Sequence, residues 1–171
     1  MTTGAIAAEV GVTQAAIFRH FSTKAEMWVA VADHVAGLLT AAWAEGLESS
    51  KLPIERLKAL VGAQLNQITA NPAMPMLLFS RELNVENTAL RAAFRDRLAT
   101  LHGLLVREVF QCQHDKTLVS NIPAADVAVL LTSLIQGVAI RWSLGARDFV
   151  LRDEGMRLLK IQLRLLGERE G

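Results

Sequence analysis

Several side chains between Gly11 and Glu26 have the types and spacing that proteins use to contact DNA. Gln14 can pair bidentately with an adenine, and Ala15 can touch a thymine methyl group. Arg19 can hold a backbone phosphate, which fixes the register of a protein on the duplex. These contacts require that a helix present the side chains to the major groove.

The pattern around these residues predicts two short helices joined by a tight turn. Apolar residues recur at helical spacing up to Val10, and Gly11 ends this first helix because glycine accepts the left-handed backbone conformation. Thr13 is expected to cap a second helix over residues 14–20. A helix, a glycine turn and a second helix form the helix-turn-helix pattern. Thr13, Gln14 and Ala15 are then the candidates for reading bases.

A longer helix is predicted to follow directly. Thr23 and Glu26 have the spacing of a capping box, and the helix continues to about Leu47. Its apolar stripe is expected at Met27, Val31, Val35, Leu38, Ala42 and Trp43.

In order and spacing this N-terminal stretch resembles the TetR family of one-component transcriptional repressors. The matching residues are Ile6–Ala7, Val10–Gly11–Val12–Thr13, Ile17, Phe18–Arg19–His20–Phe21 and Thr23–Lys24. The resemblance implies that His20 and Lys24, beside Arg19, position the DNA phosphates. Thr2 or Thr3 could add a hydroxyl or a backbone N–H contact at the first helix.

The chain departs from the family pattern at two points. Phe18 stands where the family usually has tyrosine, so a phenol that could bond a phosphate is missing. The family also has a helix before the helix-turn-helix, whereas this sequence starts at Met1, where the turn unit begins. We therefore keep an alternative open, namely a dimeric helical ligand-binding or interaction protein that has lost DNA binding through N-terminal truncation.

The rest of the chain predicts further helices and no strand, so the fold class is all-α. Helices are expected from Pro53, over residues 88–110 and 124–144, and from Asp153 to Gly167. We assign residues 1–46 to the helix-turn-helix DNA-binding unit and residues 47–171 to a helical ligand-binding and dimerisation domain.

The helix over residues 124–144 is apolar on nearly all sides, because no charge occurs between Asp126 and Arg141. Such a helix must be buried on several faces. The final helix is also apolar on two faces, and in the TetR family two such helices from each subunit form the dimer interface. The resemblance therefore predicts a homodimer through Leu130, Leu134, Val138, Arg141, Leu159, Leu163 and Leu166. The alternative is a monomeric core around both helices.

In the same family the helices between the DNA unit and the dimer interface enclose a mostly apolar pocket. The corresponding side chains here are Met74, Met76, Phe79, Phe94, Leu98, His102 and Trp142. Walls rich in methionine and aromatic rings adapt to varied apolar ligands. A small apolar or amphipathic effector is expected, with His102 as the polar member. Ordinary core packing is the alternative for each of these residues.

Other functional classes find no support in the sequence. No Ser–His–Asp set, paired carboxylates or glycine-rich phosphate loop occurs, so we expect neither an enzyme nor a cofactor. Cys112 and His114 alone are too few ligands for a metal site. The single cysteine fits a reducing compartment, and the uncharged run at residues 127–140 is shorter than the ~17 residues that a membrane span needs. We expect a cytoplasmic regulator that binds operator DNA and no membrane.

Overall fold

The computed structural model describes residues 13–72, 85 and 87–167, and of Gln14 and Lys24 only the backbone. All regular structure within these residues is helical, as predicted. The helices are α1 (Gln14–His20), α2 (Lys24–Glu48), α3 (Pro53–Ala70), α4 (Thr88–His114), α5 (Ala124–Leu144) and α6 (Leu151–Leu165).

Side-chain caps fix where three of the helices begin. Thr13 Oγ1 accepts the Ala16 N–H at 3.1 Å, and Thr23 Oγ1 accepts the Glu26 N–H at 3.1 Å. The predicted capping box is only half formed, because the Glu26 carboxylate accepts the Ser22 N–H at 2.8 Å rather than that of Thr23. Asn87 Oδ1 caps α4 through the Leu90 N–H at 3.0 Å. These bonds satisfy backbone donors that a helix start leaves free.

Helix α3 is the centre of the main core. It contacts α2, α4, α5 and α6, and its Leu57, Leu60, Val61 and Leu65 are fully buried. Its predicted apolar face, Ile54, Leu57, Val61, Leu65 and Ile68, is confirmed. The α3–α4 contact also contains Glu108, which is 1% exposed and accepts hydrogen bonds from Arg56 and Arg107.

A second, smaller cluster attaches α1 to the rest of the chain. It consists of Ile17, Met27, Trp28, Ala32 and Leu90, with Phe21, Ala93 and Phe94 packed against it. The predicted inward face of α1 at Ile17 and Phe21 is thus confirmed. Helix α1 is held through α2 and the first turns of α4.

Three details of the sequence prediction are wrong. In α2 the buried stripe runs through Trp28, Ala32, Ala36, Leu39 and Trp43, whereas Val31 and Leu38 are each 39% exposed. Helix α4 continues to His114 rather than ending near Phe110. Helix α6 begins at Leu151, so Asp153 lies in its first turn and does not cap it.

Helix α2 also bears on the domain division. It runs without a break from Lys24 to Glu48, so the predicted boundary at residue 46 falls in its last turn. The division into residues 1–46 and 47–171 stays a prediction.

Two stretches, Ala25–Glu48 and Ala124–Leu144, are long and apolar enough to cross a membrane by length and composition. Both pack into the helical bundle through one face, as core helices of this length do, so the observation is weak evidence for a membrane span.

Candidate functional sites

Helix α1 presents an exposed surface opposite the side chain that anchors it. Ile17 is buried in the small cluster, whereas Ala15, Phe18, Arg19 and His20 are exposed. Positions 15, 18 and 19 adjoin on one face, because residues three and four apart are neighbours on a helix. Phe18 is 42% exposed, which is unusual for a phenylalanine that serves only the core. We refer to this surface as the α1 face.

The remaining predicted DNA contacts are only partly described. Thr13 is exposed, and its hydroxyl oxygen is used as the α1 cap. A hydroxyl that accepts one hydrogen bond still has a proton to donate, so the cap leaves Thr13 able to contact DNA. Thr3 lies outside the described residues, and so do the side chains of Gln14 and Lys24.

A small cavity lies between α2, α3 and α4. Its volume is about 40 Å³, and the described side chains that line it are Ala32, Val35, Ala36, Leu39, Trp43, Gln64, Ala93, Phe94, Arg97, Leu98 and Leu101. Two of the predicted pocket residues, Phe94 and Leu98, line it. Met74, Met76 and Phe79 lie outside the described residues.

The other two predicted pocket residues, His102 and Trp142, are not part of the lining of this cavity, and their role in a ligand pocket stays a prediction. Trp142 is 5% exposed within the main core, and the Arg147 guanidinium lies over its ring at 5.4 Å. His102 is one turn beyond Leu98 along α4 and is partly buried.

The polar groups of the cavity are Gln64 and Arg97, which the sequence analysis did not single out. Trp43 Nε1 donates to Gln64 Oε1 at 3.1 Å. The Nε atom of Arg97 is buried and has no hydrogen-bond partner. The sequence contains a signal for Gln64 and for Arg97, because each is a polar residue within an apolar stripe. Gln64 interrupts the stripe of α3 between Leu57 and Ile68, and Arg97 interrupts the stripe of α4.

An apolar groove of about 570 Å³ runs between α5 and α6. Its lining includes the predicted interface residues Leu130, Leu134, Val138, Arg141 and Leu166, together with Leu158, Ile161 and Leu165. Leu165 is 82% exposed and Leu130 is 47% exposed. We call this surface the α5–α6 groove.

Two of the predicted interface residues do not lie on the groove surface. Leu159 is 1% exposed and Leu163 is fully buried inside the chain's own core, so their part in an interface stays a prediction. The outward side of α6 is formed by Ile161 and Leu165 instead. Because α6 is apolar on two faces, the sequence pattern alone did not show which face is internal.

An ionic cluster lies at one end of the α5–α6 groove. The Glu154 carboxylate accepts hydrogen bonds from Arg157 at 2.7 Å and from Arg141 at 2.6 Å, and these guanidinium groups lower the pKa of Glu154 to about 2. The Arg141 guanidinium also lies over the Phe149 ring at 5.0 Å. Arg141 is therefore held in place before any partner binds.

The described residues form a helical bundle to which α1 is attached by a small separate cluster, an arrangement that fits a helix-turn-helix regulator. Comparison with known proteins identifies the family. The profile of bacterial regulatory proteins of the tetR family matches residues 1–31, and that of the BetI-type transcriptional repressor C-terminal domain matches residues 53–166. The chain belongs to the TetR family of DNA-binding transcriptional regulators, which is not a family of enzymes.

Curated relatives with this similarity include nucleoid occlusion factors SlmA. The protein from Shewanella oneidensis is 28% identical over 141 residues, which are 80% of this chain and 70% of the relative. The protein from Haemophilus influenzae is 30% identical over 101 residues, which are 57% of this chain and 46% of the relative.

Solved structures share the fold at lower identity. The ketosteroid transcriptional regulator KstR2 of Mycobacterium tuberculosis superposes with a TM-score of 0.79 at 19% identity, over 99% of this chain and 86% of that one. The fatty acid degradation regulator FadR of Bacillus halodurans gives a TM-score of 0.77 at 18% identity, over 99% and 87%. These two likenesses concern the fold alone.

Proposed function

We propose that this protein is a homodimeric repressor in the cytoplasm, which binds a palindromic operator and is released from it by a small apolar or amphipathic molecule. The observation that carries the proposal is the double role of Phe94. This side chain lines the cavity and also packs against the cluster that holds Ile17 of α1. A ligand in the cavity would therefore contact the support of the DNA-reading helix.

The proposed DNA contacts start at α1. In this arrangement Thr13, Gln14 and Ala15 read base edges, whereas Arg19, His20 and Lys24 hold phosphates. Phe18 contributes an apolar contact beside them, and Thr3 contacts the backbone. The exposure of Ala15, Phe18, Arg19 and His20 supports this assignment.

The α5–α6 groove is the proposed dimer interface. Two copies that share this surface would cover Leu130, Ile161 and Leu165, which are exposed in the single chain. A dimer is what a palindrome requires, because its two recognition helices must lie about one helical turn of DNA apart.

Release by a ligand requires two states of different ligand affinity. The cavity of about 40 Å³ has room for about three water-sized groups, and it is far smaller than the roughly 300–1,000 Å³ of typical ligand pockets. An effector that lies wholly inside the cavity must therefore displace the helices around it. Helix α2 both lines the cavity and carries the cluster that holds α1, so a change in its tilt would alter the spacing of two α1 helices in a dimer.

A salt-titrated filter-binding assay on the DNA upstream of the protein's own gene tests the DNA-binding part. We expect Arg19→Ala to weaken binding and to lower the slope of log affinity against log salt by about 1, since one phosphate contact is removed. Arg95→Ala is the matched control, because Arg95 is an exposed arginine of α4 to which the proposal assigns no DNA contact, so it should leave the slope unchanged. Equal affinity for upstream and scrambled DNA would favour the alternative of a helical ligand-binding protein without operator binding.

A second candidate is a role in nucleoid occlusion, the function named for the relatives. The similarity to the Shewanella protein favours it because it extends over 80% of this chain. Chromatin immunoprecipitation distinguishes the two candidate functions. A repressor would occupy promoters at a few loci, whereas a nucleoid occlusion factor would occupy many sites outside promoters.

A further inference from the structure

We propose that the cavity between α2, α3 and α4 is a carboxylate site, and that the effector is a slender apolar molecule ending in a carboxylate. This inference rests on the proposed function in taking the ligand to be the effector. The binding site itself is argued from the side chains of the cavity alone.

The first argument is an unsatisfied donor. Arg97 Nε is buried beside an apolar cavity and donates to no acceptor, and no carboxylate of the described residues pairs with Arg97. A buried donor left unpaired costs about 1–3 kcal/mol. A ligand oxygen that carries negative charge would remove this cost and form a charge-assisted hydrogen bond.

The second argument is the orientation of Gln64. The indole N–H of Trp43 can only donate, so the amide oxygen of Gln64 must face it, as the 3.1 Å bond requires. This leaves the amide NH₂ as the free end of Gln64, and it makes no hydrogen bond to a described residue. Both polar side chains of the lining thus have a donor to offer, whereas the one acceptor among them, Gln64 Oε1, is already bonded to Trp43.

The size and the walls of the cavity select among anions. A volume of about 40 Å³ is small, so the head group of a carboxylate, with three heavy atoms, fits it better than that of a phosphate, with five. Every other described lining residue is apolar except Trp43, whose polar atom is already bonded. Val35, Phe94 and Leu98 are only partly buried, so the apolar wall continues to the surface, where an alkyl tail would lie.

Isothermal titration calorimetry of the full chain without DNA tests the site. The probes are the straight-chain carboxylates from butanoate to dodecanoate, each below its micelle concentration, with the 1-alkanol and the alkyl phosphate of the same length. We expect a carboxylate to bind roughly tenfold to a hundredfold tighter than its alcohol and its phosphate, as a hydrogen bond to a charged group implies. Failure of every carboxylate to bind, or equal affinity for the alcohol or phosphate, would overturn the proposal.

Variants identify the residues that bind the head group. Arg97→Met keeps the length of the side chain without its donors, and it should remove the preference for carboxylate over alcohol. Gln64→Glu still accepts the Trp43 N–H but replaces the free donor with a negative charge, and it should also weaken carboxylate binding. Arg95→Met is the control on the same helix and should bind as the parent does. Unchanged carboxylate affinity in Arg97→Met contradicts the proposal.

The stability of Arg97→Met gives a readout that needs no ligand. Because Arg97 Nε has no partner, its removal should leave the free energy of unfolding unchanged or raise it. A clear loss of stability would show that Arg97 has a structural partner, and it would overturn the proposal.

Operator affinity measured in the presence of each ligand distinguishes failure of this inference from failure of the proposed function. If a carboxylate binds through Arg97 but leaves operator affinity unchanged, the site stands and release by this ligand fails. If alcohols release the protein from DNA and carboxylates do not, the release mechanism stands and the carboxylate site fails.

Discussion

At the residue scale, Glu108 shows how this fold tolerates a buried charge. Its carboxylate accepts hydrogen bonds from Arg56 Nε at 2.8 Å and from Arg107 Nε at 2.9 Å, and the second Arg56 nitrogen lies 2.7 Å away. Arg56 also donates to the Lys51 carbonyl oxygen at 2.8 Å. One carboxylate thereby links α3, α4 and the turn between α2 and α3.

Glu108→Ala should lower the free energy of unfolding by about 3 kcal/mol, because it leaves the largely buried Arg56 charge without its carboxylate. Chemical denaturation followed by circular dichroism measures the change. The matched control is Glu55→Ala, which breaks the exposed pair with Lys58 and should cost less than about 1 kcal/mol. Equal losses in the two variants would contradict the account of Glu108.

Glu154 should make the protein sensitive to acid. Its pKa is lowered to about 2 in the folded chain by its bonds to Arg157 and Arg141, from an ordinary value of 4.5. The stabilisation is therefore complete above pH 4.5 and is lost as the pH falls from there through 2. An NMR titration of the Glu154 carboxyl should show the low pKa. Glu154→Gln should remove this part of the acid dependence of unfolding. A measured pKa near 4.5 for the Glu154 carboxyl would contradict its pairing with Arg157 and Arg141.

At the scale of elements, a close approach joins α3 and α6. A Cβ atom built on Gly155 would lie 2.5 Å from Leu65 Cδ1, and Leu65 is fully buried. Only glycine therefore fits this crossing without displacing the core.

Gly155→Ala should lower the free energy of unfolding by about 1–2 kcal/mol, because overpacking outweighs the gain in helix propensity. Gly103→Ala is the control, since Gly103 is exposed on α4 with no atom within 4 Å of the added Cβ. It should raise stability by about 0.5–1 kcal/mol. Thermal unfolding of the two variants should therefore shift in opposite directions.

The helices were predictable where a local signal exists. The bounds of α1 and α5 agree with the prediction, because Thr13 and Pro123 mark their starts and apolar periodicity marks their lengths. The start of α6 was not predictable, since no side chain caps it and Val150 precedes it. For α2 the predicted buried stripe was placed on the wrong side of the helix, because this helix is apolar on more than one side.

The candidate sites were less predictable than the helices, because they depend on contacts between distant residues. Gln64 and Trp43 are 21 positions apart, and only packing of α2 on α3 brings them together. His102 looked more suited to a pocket than Arg97, but the rotation of α4 buries the Nε atom of Arg97 beside the cavity. A polar residue within an apolar stripe was the one available signal.

At the scale of the whole molecule, the proposed dimer interface is the apolar groove between α5 and α6. Leu165 lies in this groove, and Leu144 is equally exposed outside it, at 82% and 83%. This pair makes the dimer testable without disturbing the core.

Leu165→Glu should convert the proposed dimer to monomers and weaken operator binding, because a charge would be buried between two apolar surfaces. Leu144→Glu should remain dimeric. Sedimentation velocity measures the oligomeric state of both, and filter binding measures the DNA affinity. Dimers of unchanged stability in Leu165→Glu would exclude the groove as the interface.

The three tryptophans lie in three different parts of the described fold. Trp28 belongs to the cluster that holds α1, Trp43 lines the cavity, and Trp142 is packed in the main core. Since the chain has no tyrosine, its ultraviolet emission comes from these three rings. Versions that keep one tryptophan, with phenylalanine at the other two, would each report on one region. The sequence thus contains its own spectroscopic probes for the head, the cavity and the core.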